Sequence, residues 1–359
     1  MKDIHGGDIW KASRDAGISA EGIIDFSASI NPLGLSPMAA RAIRKSLKLI
    51  HSYPDPSSSS VAEALAGYHG IDSSEILPGN GSTEFIHVAP LLLKPRSSLI
   101  VEPAFSEYRK ALRDNGSRVD GFILEEKDGF SVDVRRLKRR ISKGCDLLCV
   151  ANPANPTGAV AEKEDIIEIA QFCKRRGTVL IVDEAFVDFC EERSIKKEAV
   201  RLRNVVVLRS MTKFFSMPGL RLGYVIAHRD TINKFARRLP PWSVNAVAAA
   251  AVESVRDGRY ILKVHSWLAG EKVFFRQGLD SVKGLKVFDG AANFFMVKII
   301  DPGLTAPELK SILFKKSVLI RDLSAFPGLG ERYFRIAVKK RRENGMLIDA
   351  LQEIFGKSR

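Results

Sequence analysis

The feature that most constrains the fold is a series of short apolar segments that alternate with helical patterns. Continuous runs of Val, Ile and Leu are typical of strands buried on both faces, as in a parallel sheet covered by helices. The predicted strands are residues 98–101, 121–124, 147–151, 179–182, 205–208 and 224–227. Helical stretches such as 163–176 separate several of them. The pattern predicts an α/β fold with a mostly parallel sheet.

The alternation ends near Pro240 and Pro241, where helical and strand-like segments begin to mix. This change predicts a second, smaller α+β domain. We therefore divide the chain into an N-terminal arm (1–35), a large domain (36–240) and a small C-terminal domain (241–359). In open α/β sheets ligands bind at the carboxyl ends of the strands, so functional residues are expected there.

One segment between two predicted strands carries residues suited to imine chemistry. Lys213 lies beside the hydroxyl residues Ser210 and Thr212, and Arg221 follows within a Gly-Leu-Arg-Leu-Gly motif. Burial and nearby cations lower the pKa of a lysine, and the neutral amine can then form a Schiff base. The hydroxyls and the guanidinium could hold a phosphate. A lone loop lysine is usually an ordinary surface residue, so this interpretation depends on the motifs upstream.

Two other predicted strand ends carry polar residues that complement Lys213. Asp183 closes one strand, where an ionised carboxylate could keep a heterocyclic nitrogen protonated. Asn155 lies in an Asn-Pro-Ala-Asn-Pro-Thr-Gly loop after another strand, and its amide could donate to a phenolate oxygen. Taken singly, such residues are as often turn formers or helix caps.

A predicted helix N-terminus supplies the last element. Gly81, Ser82 and Thr83 open an apolar helix, and the free backbone amides at such a position attract phosphate. A phosphate, a phenolate oxygen, a protonated ring nitrogen and an aldehyde that accepts lysine are together the groups of pyridoxal 5′-phosphate. The sequence therefore predicts this cofactor.

In this order, the motifs resemble the fold-type I pyridoxal-phosphate enzymes, in the branch that contains histidinol-phosphate aminotransferases and threonine-phosphate decarboxylases. The resemblance extends nearly end to end. It implies that Lys213 carries the cofactor, that Asp183 pairs with its pyridinium nitrogen and that Asn155 donates to its ring oxygen. The other cofactor-binding residues it implies are Gly81, Ser82, Thr83, Phe105, Ser210, Arg221 and, from the neighbouring subunit, Tyr53. A homodimer with shared active sites is therefore expected.

The N-terminal arm resembles the opening of the threonine-phosphate decarboxylases, except that Ser29 stands where that family usually has Asn. This resemblance implies that Arg335 binds the substrate carboxylate. The other candidates for substrate binding are His5, Gly6, Asn31 and Arg321. We therefore expect a carboxy-lyase that converts L-threonine O-3-phosphate to (R)-1-amino-2-propanol O-2-phosphate and carbon dioxide in cobalamin biosynthesis.

The main alternative is a histidinol-phosphate aminotransferase, because the same lysine can serve both reactions. The cofactor weakens whichever Cα bond stands perpendicular to its plane, so the groups that orient the substrate decide the outcome. Phe186 stands where many aminotransferases of this branch have Tyr, which removes a donor to the ring oxygen. A choice between phosphothreonine and related phosphorylated amino acids stays open at this point.

The net charge of +14 suits anionic small molecules but also raises the possibility of nucleic acid. The densest basic runs, 135–140 and 339–342, lie beside apolar residues at helical spacing, which favours solvated helix faces. A nucleic-acid-binding protein on an inactive enzyme scaffold is thus the less favoured alternative. The chain has four cysteines without a Cys-x-x-Cys pair and no apolar run of roughly 18 residues, so we expect a cytoplasmic protein without a metal site.

Overall fold

The computed structural model describes residues 6–356, so the predicted substrate-binding residue His5 lies outside the described range. The α-helices are α1 (Ile9–Ala16), α2 (Pro37–Ser46), α3 (Ser59–His69), α4 (Ser82–Leu93), α5 (Ser106–Asp114), α6 (Val134–Ile141), α7 (Lys163–Arg176), α8 (Lys196–Ala199), α9 (Arg229–Ala236), α10 (Ala246–Ala251), α11 (Gly258–Asp280), α12 (Ala306–Phe314) and α13 (Arg341–Gly356). The strands are β1 (Ile24–Asp25), β2 (Ile76–Gly79), β3 (Ser97–Glu102), β4 (Arg118–Ile123), β5 (Leu147–Ala151), β6 (Val179–Asp183), β7 (Val205–Ser210), β8 (Gly223–Ala227), β9 (Leu285–Val287), β10 (Phe294–Ile299), β11 (Val318–Leu319), β12 (Arg321–Asp322) and β13 (Tyr333–Ala337). Within 6–356, no helix is both long enough and apolar enough to cross a membrane.

A seven-stranded sheet forms the centre of the molecule, in the order β2-β8-β7-β6-β5-β3-β4. The neighbours from β7 to β4 pair in parallel, as predicted. Strand β8 runs antiparallel to both β7 and β2. The sequence pattern did not predict β2, because a four-residue strand that contains Pro78 and Gly79 resembles a turn.

The apolar strands lie between two helical layers because both of their faces are buried. All residues of β7 are buried, and alternate residues enter different apolar clusters: Val207 packs in one and Leu208 in the other. In α7, Ile166, Ile169 and Cys173 recur at helical spacing and form the face that packs against the sheet. The prediction of an α/β fold with a mostly parallel sheet is confirmed.

A smaller antiparallel sheet, in the order β12-β13-β10-β9, forms in the C-terminal part. The neighbouring strands β11 and β12 are separated by Ile320 alone. Strand β11 pairs in parallel with β1, so the arm is tied to the C-terminal segment. Helix α2 also packs against α10. The domain boundaries at 35 and 240 stay a prediction.

Candidate active site

A cavity of about 490 Å³ opens at the carboxyl ends of the parallel strands. It brings together most of the residues predicted to bind cofactor or substrate, although they come from distant parts of the sequence. Those lining it are Gly6, Ser82, Thr83, Phe105, Asn155, Asp183, Ser210, Lys213, Arg221, Arg321 and Arg335. Phe186, the residue with no donor, lines it as well and packs edge-to-face on Phe294, with the ring centroids 5.2 Å apart.

Lys213 lies in the loop that connects β7 to β8. Burial lowers the pKa of its amine to about 8, and the charges of Arg335 and Arg221 act in the same direction. The carboxylate of Asp183 acts in the opposite direction. The backbone carbonyl of Lys213 accepts a hydrogen bond of 3.1 Å from the backbone N–H of Asn31. The neutral, nucleophilic form of the amine is therefore accessible near neutral pH.

Asp183 is the last residue of β6 and is buried. Its Oδ1 accepts a 2.9 Å hydrogen bond from the backbone N–H of Ala185, and its Oδ2 accepts one from the Tyr108 hydroxyl. Burial raises the pKa of Asp183, and the bond from Tyr108 offsets part of that rise. A buried carboxylate gains most from a cationic partner, and a protonated ring nitrogen in the cavity is such a partner.

The N-terminus of α4 forms one wall of the cavity, and two glycines allow other groups to approach it. Gly81, at φ +80°, lies so close to Arg221 that a Cβ would come within 2.6 Å of Nη2. A Cβ on Gly223 would come within 2.2 Å of the Ser82 nitrogen. The N-cap residue of α4 is Gly81, which has no side chain to cap the first turn. Its free amides and Arg221 therefore converge, as a phosphate site requires.

The opposite wall is formed by the small sheet. Arg335 on β13 pairs in register with Arg321 on β12. Its Nη1 donates to Asn155 Oδ1, and its Nη2 donates to the Ser27 carbonyl over 2.7 Å. Burial lowers the pKa of Arg335 to about 9, and the charge of Arg321 adds to this effect. Two adjacent guanidinium groups at a cavity wall favour anionic ligands.

Some hydrogen-bonding capacity in this wall is unused within residues 6–356. The Nε of Arg335 is buried without a partner in this part of the chain. Because Asn155 Oδ1 accepts from Arg335, its Nδ2 is the group that can donate to a ring oxygen. Ser29 Oγ lines the cavity and is also buried without a partner there. A ligand that accepts hydrogen bonds would satisfy these groups.

Three of the described residues predicted for the site, Gly81, Asn31 and Tyr53, are not among those that line this cavity, although Gly81 lies against Arg221. The Asn31 amide donates to the Phe214 carbonyl over 2.8 Å and to the Tyr260 hydroxyl over 2.9 Å, so it is occupied inside the protein. Tyr53 is 83% exposed and stacks on Trp242, with the ring centroids 4.7 Å apart. A contact between Tyr53 and a neighbouring subunit stays a prediction.

Two residues were missed by sequence reasoning. The sequence patterns give Tyr108 no role, yet its hydroxyl donates to Asp183. Ser29 was noted only as a departure from a family pattern, yet its hydroxyl faces the same cavity as Lys213. The spacing of Phe105 and Tyr108 at the start of a helix was the available signal for Tyr108. No local pattern distinguishes Ser29 from its serine neighbours.

The fold and this cavity are those of a large class of enzymes. Residues 21–351 match the family model described as aminotransferase class I and II, and the chain belongs to this family. The cofactor of the family is pyridoxal 5′-phosphate, and Lys213, Asp183 and the N-terminus of α4 fit its aldehyde, ring nitrogen and phosphate.

More particular relatives share nearly the full length. The chain is 37% identical to the threonine-phosphate decarboxylase of Salmonella typhimurium over 98% of this chain and 96% of that protein. It is 27% identical to the histidinol-phosphate aminotransferase of Methanothermobacter thermautotrophicus over 94% of this chain and 90% of that protein. The solved L-threonine-O-3-phosphate decarboxylase of Porphyromonas gingivalis superposes with a TM-score of 0.81 at 27% identity, covering 92% of this chain and 99% of that one.

Proposed function

We propose that this protein decarboxylates L-threonine O-3-phosphate to (R)-1-amino-2-propanol O-2-phosphate and carbon dioxide, as a step of cobalamin biosynthesis. The higher identity to a decarboxylase than to an aminotransferase, over nearly the whole chain, supports this choice. The observation that carries it is the pair Arg321 and Arg335, side by side on the cavity wall. The substrate has a carboxylate and a phosphate, which are the two anions that such a pair can separate.

The bound cofactor supplies electron withdrawal from Cα of the substrate. Lys213 would hold the cofactor through its aldehyde and release it to the substrate amine, accepting the proton that the substrate ammonium loses. Asp183 would keep the ring nitrogen protonated, and the Tyr108 hydroxyl donates to Asp183. Arg335 would bind the substrate carboxylate and fix its direction, so that the Cα–carboxylate bond is the one that breaks. The protonated Lys213 amine would then donate its proton to Cα in place of the departed carboxylate.

The substrate phosphate is assigned to Arg321, with the backbone amide of Gly6 beside it in the cavity. Ser29 Oγ is a further donor at this end. We also assign His5 to the binding of the substrate phosphate. Asn31 acts indirectly, since its backbone N–H binds the Lys213 carbonyl and its side chain is engaged elsewhere.

The proposal includes a cytoplasmic homodimer. Four free cysteines suit a reducing compartment. A group of large apolar side chains lies exposed around Tyr53, and a second subunit would cover them. They are Leu47, Leu49, Ile50, Tyr53 and Trp242. In that dimer, Tyr53 would reach the cofactor phosphate of the partner.

The test uses purified protein loaded with pyridoxal phosphate, with Lys213→Ala as the inactive control. Carbon dioxide release from L-threonine O-3-phosphate is measured without a keto acid, and glutamate formation is measured from histidinol phosphate with 2-oxoglutarate. Release of carbon dioxide that needs no keto acid is the expected result. Glutamate formation without carbon dioxide would replace the decarboxylase with the aminotransferase. L-serine O-phosphate in the first assay tests the preference among phosphorylated amino acids.

A further inference from the structure

A group of charged and polar side chains, most of them buried, lies outside the cavity lining. It consists of the buried Arg209, Glu184, Asp188 and Ser194 and the partly exposed Glu191, here called the Arg209 cluster. Arg209 and Glu184 have no exposed side-chain area, and Asp188 is 2% exposed. The mechanism above uses none of these residues.

Arg209 connects the members of the cluster through both of its terminal nitrogens. Nη1 donates to Glu184 over 3.1 Å, and Nη2 donates to Asp188 over 2.8 Å and to Glu191 over 2.6 Å. Burial alone would lower the pKa of Arg209, but the Asp188 and Glu191 carboxylates hold it well above its ordinary value. The guanidinium is therefore charged throughout the working pH range.

Glu184 is held from two further directions. Its Oε2 accepts a 2.6 Å hydrogen bond from the Ser194 hydroxyl, and its Oε1 accepts a 2.8 Å hydrogen bond from the backbone N–H of Ile195. Ser194 Oγ also accepts from Arg209 over 3.3 Å. The carboxylate thus has a single arrangement in which all of these bonds are made.

The sequence positions of Arg209 and Glu184 relate the cluster to the active site. Arg209 immediately precedes Ser210, and Glu184 immediately follows Asp183. Consecutive side chains along an extended chain point to opposite faces. Ser210 and Asp183 line the cavity, and Arg209 and Glu184 point the other way and bond to each other. The Glu184 N–H also donates to the Leu208 carbonyl over 2.8 Å. The ion pair therefore joins the ends of β6 and β7 one residue away from two cavity groups.

Stability alone is a poor explanation for this arrangement. Removing charges from water is costly, and well-packed apolar residues often stabilise a core as well as a buried ion pair does. What hydrogen-bonded charges add is geometry, because a bidentate guanidinium fixes the direction of each partner. We propose that Arg209 is a positioning residue that aligns Asp183 with the cofactor ring and Ser210 with the cofactor phosphate.

The experiment compares Arg209→Lys with Arg109→Lys. Lysine keeps the charge but is a single donor centre and cannot join three carboxylates in fixed directions. Arg109 is a matched control, because it makes a similar two-nitrogen pair with Glu102 at the end of β3 and does not line the cavity. The readouts are the melting temperature of each cofactor-free variant, its dissociation constant for pyridoxal phosphate, and the pH midpoint of the bound cofactor's absorbance.

For Arg209→Lys we expect about tenfold weaker binding of pyridoxal phosphate. The pH midpoint of the bound cofactor's absorbance should also differ from the wild-type value. Arg109→Lys should keep both at wild-type values, whatever its melting temperature. Wild-type binding and midpoint in Arg209→Lys would overturn the proposal. So would an equal loss of binding in both variants, since that result would indicate a general loss of stability. These readouts involve only the cofactor and hold for any substrate.

A second variant covers the case in which Arg209→Lys does not fold. Ser194→Ala removes the hydroxyl that joins Glu184 to Arg209 and leaves every charge in place. It should weaken pyridoxal phosphate binding by about threefold and shift the absorbance midpoint in the same direction. Unchanged binding and midpoint in a folded Ser194→Ala protein would contradict the positioning role.

Discussion

At Lys213, the same environment that binds an anionic cofactor also loosens the proton. Burial lowers the pKa of the amine, and the charges of Arg335 and Arg221 lower it further. These two cations lie on opposite walls of the cavity. The residues proposed to hold the substrate carboxylate and the cofactor phosphate would therefore also prepare the amine for reaction.

The first prediction concerns the pH dependence of cofactor uptake. Only the neutral amine of Lys213 attacks an aldehyde, and its neutral fraction grows as the pH rises through the lowered pKa. The rate at which cofactor-free protein takes up pyridoxal phosphate should therefore increase with a midpoint near pH 8, the pKa of Lys213 being about 8. Stopped-flow absorbance measures this rate, and Lys213→Ala gives the background. A midpoint near the ordinary value for lysine would contradict the assigned environment.

A second prediction concerns Arg335, which bonds to both Asn155 and the Ser27 carbonyl. Arg335→Lys keeps the charge but loses the fork that binds a carboxylate, so KM for the substrate should rise by roughly tenfold or more. Affinity for pyridoxal phosphate should change less than KM, because its aldehyde, nitrogen and phosphate sites lie on the large sheet and Arg335 affects only the Asn155 contact to the ring oxygen. Arg332→Lys, on an exposed neighbour, is the control. If Arg335→Lys weakened cofactor binding as much as it raised KM, that result would argue against a substrate role for Arg335.

At the scale of elements, the active site depends on how closely β8 approaches the N-terminus of α4. Gly223 is the first residue of β8, and its Cα faces the Ser82 nitrogen with no room for a side chain. A strand end and a helix end thus meet backbone to backbone. The phosphate-binding amides keep their direction only while this contact is intact.

The third prediction tests that contact. In Gly223→Ala the new Cβ would lie 2.2 Å from the Ser82 nitrogen, so the helix must shift. Pyridoxal phosphate binding should weaken by about tenfold or more, and stability should fall by about 1–3 kcal/mol. Gly219→Ala, in the loop that precedes β8, is the matched control, since a Cβ there meets nothing within 4 Å. Fluorescence titration and thermal melting report both effects, and similar behaviour of the two variants would exclude the proposed contact.

The sequence predicted the type of most elements and the strand ends that carry the site, because buried parallel strands and motif loops have strong local patterns. It missed β2 and the antiparallel direction of β8, since pairing depends on partners remote in sequence. It also placed Asn31 among the substrate contacts. The resemblance that assigned Asn31 cannot show that its amide donates to the Phe214 carbonyl and the Tyr260 hydroxyl. Hydrogen bonds between residues far apart in the sequence leave no local pattern.

At the scale of the whole molecule, the fourth prediction concerns assembly. The exposed apolar group around Tyr53 includes Ile50, which is 67% exposed. Ile50→Glu would place a charge in the proposed interface, so sedimentation velocity should show a shift from dimer to monomer and weaker cofactor binding. Val273→Glu, at an exposed position on α11, is the matched control and should leave the mass unchanged. A wild-type protein that sediments as a monomer would rule out shared active sites.

The pairing of β1 with β11 determines when the N-terminal arm can dock during synthesis. Phe26, next to β1, donates to the Leu319 carbonyl over 2.8 Å and accepts from the Ala337 N–H over 2.9 Å. Residues 24–26 therefore find these partners only after residues 318–337 have been synthesised. A nascent chain stalled before β11 should already contain the large sheet and Lys213 but lack the docked arm. We expect such a chain to capture pyridoxal phosphate and to be unable to turn over substrate, so that catalysis begins only after β11 to β13 have been synthesised.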